Sequence, residues 1–250
     1  MSKAKVAFFD FTSCEGCQIE LTNYGDEAFL ALLEHIEIVE FREAMTEKAK
    51  EPLDIAFIEG SFSRESERGR LEEIRNRSEV VIAYGACAVT GGVNALKNHT
   101  SDYLEEVYGK DANRAHLCSQ KARPISDAIK VDHTVPGCPI DRAELINIIS
   151  QLLHGTTPTL PTHPVCVECK FNQTICRYHN GEHCLGLVAR AGCGAPCPAH
   201  GIPCEACRGF VPNAKEDTLK DVLMEKGNLS EYRAESLSRM FTANERSDAQ

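Results

Sequence analysis

The sequence predicts an α/β fold in which a helix-covered parallel sheet is followed by a small irregular, cysteine-dense region and a helical tail. Three observations lead there. Short apolar runs alternate with helical stretches as far as residue 155. Eight of the thirteen cysteines then crowd into residues 166–207, where apolar periodicity is weak. Helical spacing returns from Asn213 onward.

Each element has its own signal. Lys5–Phe11 (KVAFFDF) reads as the first strand, and a helical stretch follows through Leu33. Ile36–Phe41 (IEIVEF) has strand character, and Asp54–Glu59 (DIAFIE) reads as a buried strand closed by Gly60. Arg64–Arg77 is charged, with Leu71 and Ile74 three apart, as on a surface helix. Glu79–Tyr84 (EVVIAY) is the next strand, broken by Gly85, and Val131–Val135 is a weaker candidate. Asp141 is placed to cap a helix whose apolar face holds Leu145, Ile148, Ile149 and Leu152. Three prolines and no periodicity make His154–Pro164 (HGTTPTLPTHP) a linker.

The predicted division is therefore 1–155, 156–212 and 213–250. The middle piece has too little apolar pattern for a core of its own, so bound metal is expected to organise it. In the tail, Leu219, Val222 and Leu223 form one helical face and Gly227 ends it. Ser230–Phe241 suggests a second short helix, and the last, polar residues are expected to fray.

A net charge of −10 argues against nucleic acid and anionic membrane surfaces as partners. No apolar run approaches the length of a membrane span. Val6–Phe11 is too short for a signal-peptide core, and neither a cleavage site nor a twin-arginine pair precedes Cys14. The chain is expected in the cytoplasm. Disulfides are disfavoured there, and thirteen thiols do not pair evenly, so metal is the better reading.

Cys14-Glu15-Gly16-Cys17 follows the first strand, Cys87 follows EVVIAY in Gly85-Ala86-Cys87, and Cys138 sits in Pro136-Gly137-Cys138-Pro139 after the last strand. All four fall at carboxyl ends of strands, the edge where open α/β sheets bind cofactors. Neighbouring glycines, with Gly91 and Gly92, let backbone come close to something bulky. Four converging thiolates suit one cubane iron–sulfur cluster. Structural zinc is the competitor, although it usually draws on two nearby knuckles rather than most of a domain. Taken one by one, such cysteines are also ordinary buried small residues.

The second region reads Cys166-x2-Cys169-x6-Cys176-x7-Cys184, then Cys193-x3-Cys197-x6-Cys204-x2-Cys207. Eight thiols fill two four-ligand sites. Cys197-Pro198 echoes the Cys-Pro ending of ferredoxin ligand runs, while two zinc ribbons would also use eight cysteines. His163, three residues before Cys166, could pair with it as a ligand; His179, His183 and His200 read as loop residues. Cys118 stands without companions and reads as a spare thiol.

The ordered set CEGCQIEL, GACAVTGG, PGCP and CVECK…CLGLVARAGCGAPCP…CEACRG resembles the small subunit of [NiFe] hydrogenases. Its likeness is to the cytosolic, NAD(P)-linked sulfhydrogenase-type branch, where this chain would be the delta subunit, and it runs from about Lys5 to Phe210. The resemblance implies a flavodoxin-like first domain and three [4Fe-4S] clusters. The proximal one would be held by Cys14, Cys17, Cys87 and Cys138, and the distal one by Cys166, Cys169, Cys176 and Cys184. Cys193, Cys197, Cys204 and Cys207 would hold the medial one. Periplasmic relatives carry a three-cysteine medial cluster and a distal histidine; here Cys197 supplies a fourth medial ligand, and His163 keeps the histidine option open.

The same resemblance places the Ni-Fe centre on a separate large subunit and a flavin on an NAD(P)-reactive diaphorase partner, with a ferredoxin-like subunit as a further partner. This chain would relay electrons between them and would not be catalytic alone. The amides of Gly16, Ala86 and Gly137 are expected donors to the proximal cluster. Glu15 is a candidate proton relay at the subunit interface, with an exposed loop carboxylate as the plainer alternative. Equivalent subunits of coenzyme F420- or heterodisulfide-reductase-linked hydrogenases share this plan, and a zinc-binding interaction module is the alternative from another class.

Overall fold

The computed structural model describes residues 3–22, 27–46, 48, 50–100, 102–110 and 120–244. Cys118 and the polar residues 245–250 lie outside the described residues. Five strands form one sheet: β1 (Ala4–Asp10), β2 (Ile36–Phe41), β3 (Leu53–Glu59), β4 (Ser78–Tyr84) and β5 (His133–Val135). Their order is β2-β1-β3-β4-β5, and every neighbouring pair is parallel. This is the flavodoxin-like order, whose direction of winding reverses beside β1.

The near-continuous apolar runs are explained by helices on both faces, since a strand covered twice has no solvent side. Strand periodicity sorts the side chains into two cores. Phe8, Ile55, Phe57, Ile82 and Tyr84 face one way, packing with Leu21, Leu145, Ile148 and Ile149. Ala7, Phe9, Ala56, Ile58, Val81 and Ala83 face the other, against Leu71 and Ile74. In the first core Phe8 stacks on Phe57 at 4.9 Å, and Phe57 meets Tyr84 edge-on at 5.8 Å.

The covering helices of the first core include α1 (Gly16–Thr22), α2 (Glu27–Leu32) and a later helix, Arg142–Leu153. The charged stretch predicted as a surface helix becomes a 3₁₀ turn, Glu65–Glu67, followed by α3 (Arg68–Asn76), which buries Leu71 and Ile74. Short helices α4 (Ala86–Thr90) and α5 (Tyr103–Tyr108) precede β5, and Arg142–Leu153 is α6. Asp141 caps α6 as expected, its carboxylate accepting from the Glu144 amide at 2.8 Å.

Among the described residues, no helix or strand lies between His154 and Pro164. Beyond it come α7 (Val165–Phe171), α8 (Pro196–Ala199), α9 (Glu216–Glu225) and α10 (Glu231–Arg239). Val165, Leu185, Val188 and Phe210 share one apolar cluster with Leu219, Leu223, Ala234 and Leu237. The cysteine-dense segment thus borrows its cover from the C-terminal helices, which explains its own shortage of apolar residues. Among the described residues no helix is long and apolar enough to cross a membrane.

Candidate functional site

The four cysteines of the first set come to the carboxyl edge of the sheet. Cys14 follows β1, Cys17 sits in the first turn of α1, Cys87 in the first turn of α4, and Cys138 three residues past β5. The thiols lie within electrostatic reach of one another: Cys17 feels Cys138 and Cys87, and Cys87 feels Cys138 and Cys14. Two glycines make the convergence possible. A Cβ on Gly85 (φ +83°) would stand 2.6 Å from the Cys17 sulfur, and one on Gly92 (φ +55°) 2.9 Å from the Cys87 nitrogen.

Burial pushes the Cys87 thiol up to about 12, and neighbouring thiols add to the shift. Cys17 is raised by burial as well, with Glu59 adding to it. Thiols so crowded stay protonated at neutral pH unless a strong positive charge ionises them, as metal does. Under this set lies Glu59, the last residue of β3 and 2% exposed. Its carboxylate oxygens accept from the amides of Cys17 and Gln18, each at 3.2 Å, at the start of α1. Burial nonetheless raises its pKa.

One expected donor is otherwise engaged. The Ala86 amide donates to the Gly137 carbonyl at 2.6 Å, tying the Cys87 turn to the Cys138 loop, so it is not free for the proximal set. Glu15 takes a left-handed backbone (φ +61°) between Cys14 and Cys17 and lies 3.3 Å from Arg42. A hydrogen bond to the Glu43 carboxyl raises its pKa.

The remaining eight thiols separate into two sets. Cys166 and Cys169, one helical turn apart on α7, face Cys176 and Cys184. Cys204 feels Cys184 first and then Cys207 and Cys193, and Cys207 also feels Cys197 on α8. Cys193, Cys197, Cys204 and Cys207 line a cavity of about 250 Å³ whose walls are otherwise mostly apolar, including Val165, Ala195, Ile202 and Met240. Burial raises the Cys166 and Cys193 thiols to about 11. Backbone amides of Gly186, Ala195 and Ala206 lie near the sulfurs of Cys184, Cys193 and Cys204 and oppose the rise that burial causes.

The three sets touch in a fixed order. Cys138 lies within electrostatic reach of Cys207, and the two line one cavity. The Cys204 amide donates to the Cys184 sulfur at 3.3 Å. The set from Cys193 to Cys207 therefore sits between the other two. Cys14, Cys138, Cys176 and Cys197 are the exposed members. His163 is exposed, and its carbonyl accepts from the Ala191 amide. Among the described residues no three His, Cys, Asp or Glu side chains close on a point that would hold a single ion. In donor chemistry and grouping, the residues fit three thiolate-bound inorganic clusters.

Glu59 carries no motif of its own in the sequence, and its place at the end of an apolar strand is the signal for it.

Comparison with known proteins bears on these sites. The family described as NADH ubiquinone oxidoreductase, 20 Kd subunit, matches residues 14–152. Sulfhydrogenase 2 subunit delta of Pyrococcus furiosus is 36% identical over 225 residues, covering 88% of this chain and 93% of that protein. A subunit of the vhu F420-non-reducing hydrogenase of Methanocaldococcus jannaschii is 36% identical over 236 residues, covering 82% of this chain and 81% of its own length. A chain of an NAD+-reducing [NiFe]-hydrogenase, solved in the H2-reduced state, superposes with a TM-score of 0.55 at 25% identity. It covers 64% of this chain and 96% of that one.

Proposed function

The chain belongs to the NADH ubiquinone oxidoreductase 20 Kd subunit family, and from that membership we propose that it is the small subunit of a [NiFe] hydrogenase relaying electrons through three [4Fe-4S] clusters. The carrying observation is the order of contact among the three thiol sets, with Cys207 and Cys138 lining one cavity on one side and the Cys204 amide on the Cys184 sulfur on the other. Bound clusters would supply one-electron redox chemistry at potentials set by hydrogen bonding, charge and exposure. The chain's residues do the rest. Four thiolates would hold each cluster, the Cys204 amide offsets charge on the Cys184 sulfur, and apolar residues such as Val165 and Ala195 line the middle site.

The route runs from Cys14, Cys17, Cys87 and Cys138 (proximal) through Cys193, Cys197, Cys204 and Cys207 (medial) to Cys166, Cys169, Cys176 and Cys184 (distal). The exposed Cys14 and Cys138 would face a large subunit carrying the Ni-Fe centre, and the exposed Cys176 would face the electron partner. The proposed partner is a flavin subunit reactive with NAD(P), a reading supported by the likeness to an NAD+-reducing enzyme. Glu15, paired with Glu43 and Arg42 at the proximal edge, is proposed to assist proton movement at the subunit interface.

A second reading rests on the relative from an F420-non-reducing hydrogenase, which covers more of this chain than the NAD+-reducing structure does. The rest of the complex would then deliver electrons to an acceptor other than NAD(P). The purified complex distinguishes the two: hydrogen-dependent reduction of NAD+ or NADP+ supports the first reading. Activity with an artificial dye but with neither nucleotide supports the second.

A further inference from the structure

Arg208 follows Cys207 and is 3% exposed. A buried guanidinium is costly unless its donors are met, so its partners indicate what its burial serves. Three donors have them. Nε donates to the Ala191 carbonyl at 3.0 Å, Nη1 to the Pro136 carbonyl at 2.8 Å, and Nη2 to Glu144 Oε1 at 2.6 Å. Ala191 stands two residues before Cys193, and Pro136 two before Cys138; Glu144 belongs to α6. The guanidinium thus joins the backbone beside a proximal thiol to the backbone beside two medial ones. Space has been left for it. At Gly192 (φ +117°) a Cβ would stand 2.5 Å from Arg208 Nη2 and 2.7 Å from Glu144 Oε1.

We propose that Arg208 is a positioning residue that holds the Cys207 loop against the Cys138 loop and so sets the electron hop between the proximal and medial thiol sets. The proposal rests on the three-cluster reading. Its planar fork meets three acceptors from three segments, which a lysine's single ammonium cannot match in geometry. The approach it guards is that of Cys138 to Cys207, which line one cavity. By contrast, Cys204 and Cys184 are joined by their own hydrogen bond.

The test uses the full chain in its hydrogenase complex, purified anaerobically, as the unaltered protein, Arg208→Gln and Arg208→Lys. Iron and sulfide are measured first. If the unaltered chain lacks iron clusters, the three-cluster reading falls, and this proposal with it. With clusters in place, low-temperature spin resonance of the reduced protein reads the magnetic interaction between neighbouring clusters. The expected result for Arg208→Gln is a full iron load with the proximal–medial interaction lost and the medial–distal one kept, Arg208→Lys restoring part of the loss. A purely structural arginine would lower stability without separating the two interactions. Full iron with unchanged splitting in Arg208→Gln overturns the proposal. Should that variant fail to fold, Glu144→Ala, which removes one anchor on α6, is judged by the same two outcomes.

Discussion

The backbone amide of Cys204 donates to the sulfur of Cys184 at 3.3 Å, joining two thiol sets through residues twenty positions apart. Cys138 and Cys207, from two further sets, line one cavity. Because each set draws its four thiols from separate segments, damage to one should leave the others intact.

That independence gives the first expectation. Cys176→Ser should remove about a third of the iron, four atoms of roughly twelve, without touching the other two sets. Iron analysis with spin resonance checks this. Loss of all iron would mean the sets are not separate sites.

Gly85→Ala addresses the sheet edge. Its Cβ would stand 2.6 Å from the Cys17 sulfur, at a backbone angle of +83°. Strain of this kind costs about 1–3 kcal/mol. The variant should lose the cluster at Cys14, Cys17, Cys87 and Cys138 and show a lower thermal midpoint, measured by iron content and calorimetry.

Tyr84 makes the pH case. It is fully buried, its hydroxyl has no hydrogen-bond partner among the described residues, and burial raises its pKa well above the ordinary value. A phenol raised on folding binds its proton more tightly in the folded state. Its contribution is therefore complete below about pH 10 and falls by about 1.4 kcal/mol per pH unit above that, while the folded phenol stays protonated. Tyr84→Phe should be neutral or stabilising at pH 7, because it removes an unmet buried hydroxyl. It should also flatten the alkaline loss of stability. Denaturant titrations at pH 7 and above pH 10 decide it, and parallel curves for the two proteins would contradict the assignment.

Glu15→Gln removes the carboxyl that shares a hydrogen bond with Glu43 beside the proximal set. Hydrogen turnover by the complex should fall with a changed pH profile while iron content holds. Unchanged turnover with an unchanged pH profile would dispose of the relay.

Much of this architecture was legible in the residues. Strands β1, β3 and β4 are continuous apolar runs because both sheet faces are covered, and their carboxyl ends put Cys14, Cys17, Cys87 and Cys138 on one edge. What stayed hidden depends on long-range contact. Arg208 looks like a surface arginine until its fork is seen to meet Pro136, seventy-two positions away. Ala86 looks free to serve a cofactor, yet its amide is taken by Gly137. The cysteine-dense segment looks coreless because Leu219, Leu223, Ala234 and Leu237 cover it from further along the chain. Hydrophobic periodicity carries none of these relations.

The measurement that bears most directly on the account is iron and acid-labile sulfide analysis, with low-temperature spin resonance, of the anaerobically purified protein. About twelve irons and twelve sulfides per chain are expected, with signals from three interacting four-iron clusters. Zinc without sulfide, or thiols found oxidised to one another as disulfides, would contradict it.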